Sequence, residues 1–209
     1  MAATRIKVCG ITNLDDARQA VRLGVDSIGF IFANSPRQVT AEQVHQIINK
    51  LPPFINLTGV FVDEDIEEVQ KTADYCGLDT LQLHGTETPE YCKQLKAWKV
   101  IKAFRVREKL EPKRMAAYEI AGYLLDTYQP KRLGGTGKTF NWDLAVEAEE
   151  VGPIILAGGL NPDNITTAVK KVEPYGVDIN SGVESSPGQK DQQKLKRVVN
   201  NIRRLEYAE

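Results

Sequence analysis

The sequence has 209 residues, 42% of them hydrophobic and 26% charged, with Lys+Arg 27 against Asp+Glu 28 for a formal net charge of -1. That is enough apolar material for one sizeable core, and residues 1–209 read as a single domain. The even, unclustered charge excludes a basic nucleic-acid binder and an acidic disordered tail, and the apolar runs break far short of the roughly 20 residues of a membrane span.

In chain order, short runs rich in β-branched and aromatic residues predict strands over residues 6–11, 27–32, 57–62, 80–83, 100–104, 123–127, 154–157 and 177–180. Between them the spacing turns helical. Val44, Ile47, Ile48 and Leu51 share one face, as do Ile66, Val69 and Ala73, then Ile165, Ala168, Val169 and Val172, and finally Leu195, Val198, Val199, Ile202 and Leu205. Thr40 with Gln43 has capping-box spacing, and Thr88-Pro89 and Asn161-Pro162 each place a cap before a proline suited to a first helical turn. Between Arg105 and Ala121 the periodicity is poor and Pro112 interrupts it, so helix five is expected to be weak or distorted.

Strand-then-helix units in strict alternation imply parallel strands, either as an open doubly wound sheet or as a closed (β/α)8 TIM barrel. The turn after the first strand, Cys9-Gly10-Ile11-Thr12-Asn13, lacks the glycine spacing of a dinucleotide site, which favours the barrel. Closure also accounts for polar residues within the strands. Strand alternation sets Lys7 on the face of Cys9, Gln82 on that of His84, Lys102 on that of Phe104 and Asp178 on that of Asn180. All four are expected to point inward, with Lys7 pairing Asp178 across the seam between the first and last strands.

In such a barrel the chemistry sits at the C-terminal ends of the strands, which selects Cys9, Arg37, His84, Asp126, Gly158-Gly159 and Ser181-Gly182. Cys9, above Lys7, is a candidate base whose thiolate is expected to be favoured; Asp126 is either a structural cap or a general acid. Arg37 suits a carboxylate held by its fork, or is a solvated loop arginine; His84 is a core histidine or a second polar contact. Gly158-Gly159 and Ser181-Gly182 are tight turns or, at the two positions where barrels hold anions, a phosphate site. Gly134-Gly135-Thr136-Gly137-Lys138 lacks the P-loop spacing and is expected to be a mobile lid rather than a nucleotide site. Three cysteines without a C-x-x-C pair suggest a reducing, cytoplasmic setting, and two histidines with no Cys/His cluster argue against a metal.

Taken together these segments resemble the N-(5′-phosphoribosyl)anthranilate isomerase family. The resemblance rests on Lys7-Val8-Cys9-Gly10-Ile11-Thr12, Ser35-Pro36-Arg37, Leu81-Gln82-Leu83-His84-Gly85, Leu125-Asp126-Thr127, Ala157-Gly158-Gly159-Leu160-Asn161-Pro162 and residues 178–184. It implies a cofactor-free Amadori rearrangement of a small phosphosugar, with no nucleic acid or membrane partner and a monomeric or homodimeric state. It further implies Cys9 as general base, Asp126 as general acid, Arg37 on the anthranilate carboxylate, and the Gly158-Gly159 and Ser181-Gly182 loops on the phosphate. A sister isomerase of histidine biosynthesis, resembling a two-aspartate arrangement, and a barrel that binds phosphate without catalysis are the alternatives.

Overall fold

The computed structural model describes residues 3–107, 109–127 and 141–206. Eight parallel strands close into a barrel: β1 (Arg5–Val8), β2 (Ser27–Ile31), β3 (Asn56–Phe61), β4 (Thr80–Leu83), β5 (Lys99–Val106), β6 (Gly122–Thr127), β7 (Ile154–Leu156) and β8 (Gly176–Ile179). They pair in chain order, and β8 returns to β1 with Lys7 opposite Asp178. The connections carry α1 (Leu14–Arg22), α2 (Ala41–Ile48), α3 (Ile66–Cys76), α4 (Pro89–Lys93), α5 (Pro112–Met115), α6 (Asp143–Val146) and α7 (Ile165–Val172). After β8 come a hairpin of β9 (Glu184–Ser186) and β10 (Gln189–Lys190), then α8 (Gln192–Glu206). The (β/α)8 barrel is the fold expected.

Two apolar layers hold it together. The outward faces of the strands, among them Ile6, Ile28, Phe30, Leu81, Leu125 and Leu156, pack under the helices in one large cluster. The interior is narrower and takes smaller residues, with Ala103, Leu124, Ile155 and Ala157 forming their own cluster. Below them Ser27, Asn56, Thr58 and Thr80 satisfy one another; Asn56 Nδ2 donates to Thr80 Oγ1 at 3.0 Å, and the Ser27 and Thr58 hydroxyls meet at 2.9 Å.

Local signals set most helix starts. Thr40 and Gln43 form both halves of the capping box, and Thr88 caps α4 with Pro89 in its first turn. Asn161-Pro162 does not start α7, which begins at Ile165. Asn161 Oδ1 accepts from Asp163 N at 2.9 Å while Asn164 Oδ1 accepts from Asn161 N at 2.8 Å, and this side-chain turn displaces the first helical turn. The weak helix five is a single turn, Pro112–Met115. The first strand stops at Val8 rather than at residue 11, because Gly10 takes φ +71° and leaves the ladder.

The seam pair forms as expected: Lys7 Nζ donates to Asp178 Oδ1 at 2.8 Å, both side chains buried inside the barrel. Lys102 does not point inward. Ala103 occupies the interior, so Lys102 faces the helix layer, where it pairs with Glu87 at 3.1 Å and donates to the carbonyls of Leu83, Gly85 and Ala103. An inward ammonium there would meet the apolar cluster, whereas outside it finds the Glu87 carboxylate and the carbonyls of Leu83, Gly85 and Ala103.

Candidate active site

The C-terminal ends of the strands converge on one pocket, lined by every residue singled out above: Cys9, Arg37, His84, Asp126, Gly158, Gly159, Ser181 and Gly182. They arrive on six rim segments, after β1, β2, β4, β7 and β8 and on β6, so strands far apart in sequence bring their groups to a common space. The segment around Gly134-Lys138, expected to form a lid, lies outside the described residues.

Cys9 follows β1 and is buried. A Cβ placed on Gly29 of β2 would stand 3.0 Å from both Cys9 Sγ and Lys7 Nζ, so the missing side chain leaves room for thiol and ammonium side by side. Burial pushes the Cys9 thiol up, and the Lys7 ammonium opposes this without overcoming it. That direction runs against the favoured thiolate expected from the sequence. Burial also works against the Lys7 ammonium, but Asp178 holds its pKa above the ordinary value.

Asp126 stands near the end of β6 beside His84, with His84 Nε2 3.2 Å from its Oδ2, while Thr127 N donates to Oδ1 at 2.8 Å. The far side of the imidazole, Nδ1, lies 3.2 Å from Gln82 Nε2. Gln82, His84 and Asp126 thus form a continuous polar row from β4 to β6.

Arg37 lies in the loop after β2 with its fork turned onto Glu184: Nε donates to Oε1 at 2.8 Å and Nη2 to Oε2 at 2.6 Å. It is neither a solvated loop arginine nor unpartnered. Lys190 Nζ donates to the same carboxylate at 3.0 Å and to Asn180 Oδ1 at 3.0 Å. Burial would raise the Glu184 carboxyl, but Arg37 and Lys190 hold it below the usual range, while burial brings Lys190 below its own. Two of the five N–H donors of the guanidinium are committed to Glu184, and Arg37 lines the pocket.

Gly158 and Gly159 take φ +82° and +68°, a geometry that a side chain would strain. Ser181 opens a 3-10 turn, Ser181–Val183, in the adjoining loop. A Cβ on Gly182 would overlap the carbonyl oxygen of Leu160, so the loops after β7 and β8 interlock backbone against backbone. Two glycine-lined loops at neighbouring strand ends leave main-chain groups exposed to an anion that side chains would otherwise cover.

Sequence reasoning placed Gln82 and Asp178 inside the barrel but not among the site residues, and it overlooked Glu184 and Lys190. Gln82 and Asp178 line the pocket, while Glu184 and Lys190 set Arg37 from behind. A carboxylate two positions past the rim glycine Gly182 was the one readable hint; Lys190 arrives through the hairpin and has no local signal. Among the described residues no group of three or more His, Cys, Asp or Glu side chains is arranged to hold a metal ion, and no helix is long and apolar enough to cross a membrane.

Comparison with known proteins places this geometry. The family model of N-(5′-phosphoribosyl)anthranilate (PRA) isomerase matches residues 6–201. A relative from Geotalea uraniireducens, an N-(5′-phosphoribosyl)anthranilate isomerase, is 51% identical over 203 residues, covering 97% of this chain and 100% of its own. The phosphoribosyl anthranilate isomerase of Thermotoga maritima superposes with a TM-score of 0.90 at 40% identity, covering 96% of this chain and 98% of that one. A phosphoribosyl anthranilate isomerase solved in complex with reduced 1-(o-carboxyphenylamino)-1-deoxyribulose 5-phosphate gives a TM-score of 0.86 at 37% identity, with 96% and 98% covered.

Proposed function

The chain belongs to the N-(5′-phosphoribosyl)anthranilate isomerase family, and from that premise we propose how its own side chains carry the reaction. The reaction is the conversion of N-(5-phospho-β-D-ribosyl)anthranilate to 1-(2-carboxyphenylamino)-1-deoxy-D-ribulose 5-phosphate, an Amadori rearrangement of tryptophan biosynthesis. Family membership sets aside the two-aspartate sister enzyme and the barrel without catalysis.

Asp126 is the general acid and Cys9 the general base. The observation that carries this reading is that the two groups line one pocket together with Arg37 and the glycine loops Gly158-Gly159 and Ser181-Gly182. Asp126 protonates the furanose ring oxygen, the ring opens, and the anilino nitrogen becomes an iminium. That new positive charge, added to the Lys7 ammonium, favours the Cys9 thiolate, whose proton has left to solvent, at the step that needs a base. Cys9 then removes the C2′ proton, and the resulting enolamine tautomerises to the ketone. Arg37 holds the anthranilate carboxylate and the Gly158-Gly159 and Ser181-Gly182 backbones hold the phosphate, with His84 a further contact; anchoring both acidic ends fixes the reacting carbons between acid and base. No cofactor takes part in this scheme. The single partner is the small phosphosugar, the assembly a monomer or homodimer, the setting the cytoplasm, and 1–209 one domain.

The test follows phosphoribosylanthranilate fluorescence on mixing with the purified protein. Cys9→Ser and Asp126→Asn are each expected to lose about 10²–10⁴-fold in kcat with an unchanged circular dichroism spectrum. Turnover near that of the unaltered chain in either variant would remove the assigned role.

A further inference from the structure

Gln82 is 1% exposed, points into the barrel and lines the rim pocket, yet its two ends are treated differently. The amide nitrogen lies 3.2 Å from His84 Nδ1. The amide oxygen is buried and has no hydrogen-bond partner among the described residues. On the barrel interior its neighbours in register are Val60 on β3 and Ile101 on β5, neither of which has a side-chain donor to offer. An amide kept only for packing would sit more stably as leucine or methionine, because a buried acceptor left unmade is a cost that apolar atoms avoid.

The orientation follows from the row. A neutral imidazole has one N–H, and the Gln82 amide nitrogen at Nδ1 can only donate, so Nδ1 accepts and Nε2 carries the proton toward Asp126 Oδ2, leaving Asp126 Oδ1 to hold the proton that the ring oxygen takes. The Gln82 NH2 group then faces Nδ1 and its oxygen is left for the pocket. We propose that Gln82 determines specificity in this isomerase, its amide oxygen accepting a hydrogen bond from a hydroxyl of the substrate's sugar while its amide nitrogen fixes the His84 tautomer that faces Asp126. This rests on the pocket and roles of the preceding section. The sugar is the partner because Asp126 acts on the sugar's own ring oxygen and stands one imidazole away from the amide, the carboxylate and phosphate have no proton to donate at neutral pH, and the anilino N–H, the remaining donor, is common to all the deoxy ligands below. A sugar without that hydroxyl leaves the acceptor unmatched and is discriminated against for that reason.

The experiment titrates reduced 1-(o-carboxyphenylamino)-1-deoxyribulose 5-phosphate and its 2-, 3- and 4-deoxy forms into the unaltered protein and into Gln82→Met. One deoxy form is expected to bind the unaltered protein about tenfold more weakly than the full ligand, and that gap is expected to close to within about twofold in Gln82→Met. The ¹⁵N shifts of His84, one of two histidines in the chain, are expected to report the Nε2–H tautomer in the unaltered protein and a mixture in the variant. If Gln82→Met does not fold, Gln82→Asn, which draws the amide back by one methylene, gives the same two readings. A discrimination unchanged by the substitution, or no discrimination among the deoxy ligands, overturns the assignment of Gln82. Failure of the full ligand to bind the unaltered protein overturns the pocket itself and the Gln82 assignment with it.

Discussion

Gly182 has no room for a methyl group. Its would-be Cβ falls on the Leu160 carbonyl, a backbone atom, so an alanine there must push the β8 loop away from the β7 loop. Overpacking of this kind costs about 1–3 kcal/mol, and under the roles proposed above it parts the two loops that hold the phosphate. Gly182→Ala is expected to raise KM at least tenfold and to lower the melting temperature; a variant with unaltered KM would separate this loop from substrate binding. The three cysteines make a second residue-scale prediction. Burial pushes Cys76 and Cys92 from 9.0 up to about 11, and Cys9 shifts the same way. A thiol that ionises later in the folded than in the unfolded chain contributes its full stability below about pH 9, and that contribution drains away as pH climbs toward 11. Urea midpoints are expected to be level from pH 7 to 8.5 and to fall by pH 10.5, less steeply in Cys76→Ala/Cys92→Ala. Cys9 and Asp126 were readable as site candidates because a strand end in a barrel implies a position at the mouth. Glu184, Lys190 and the outward turn of Lys102 were not, since each depends on a partner supplied by another loop.

At the scale of elements, the β9–β10 hairpin is fastened to the loop after β2 by Arg37, Glu184 and Lys190, all of them buried. Removing the carboxylate charge would leave two cations facing one another in a dry place. Glu184→Gln is expected to cost ~3 kcal/mol by chemical denaturation and to raise KM more than it lowers kcat, because Arg37 loses the contact that aims it. An equal fall in kcat alone would instead place Glu184 in the chemical step. Element starts such as those at Thr40 and Thr88 could be read from three or four residues, because capping is local chemistry. The start of α7 could not, because Asn161 and Asn164 had a competing turn available, and the single turns α5 and α6 give too short a stretch for periodicity to register.

For the molecule as a whole, the seam between β1 and β8 decides whether eight units make a barrel. Lys7 and Asp178 meet across it at 2.8 Å, well out of water. Lys7→Met alone strands the aspartate and is expected to cost about 3–5 kcal/mol, whereas Lys7→Met/Asp178→Leu is expected to recover most of that loss in equilibrium unfolding. A double variant as unstable as the single one would mean that volume rather than charge holds the seam. The fold class was the most legible feature of the chain, because alternation is a pattern repeated across its length and survives errors in any single unit. Closure itself was readable through the turn after β1, which lacks a dinucleotide glycine pattern, and through the inward Lys7 and Asp178, two charges that an open sheet would have left without each other.

That seam also brings the stretch just before β1 and the last described helix, α8, to one neighbourhood. Arg203 of α8 donates to the carbonyl of Thr4 at 3.2 Å, so residues 199 positions apart are in contact. A short peptide joining them would make the chain a loop without a first residue, and the cut that restores two ends could be moved to the exposed turn at Phe54. The order in which the ribosome delivers the eight units would then change while the finished ring stayed the same.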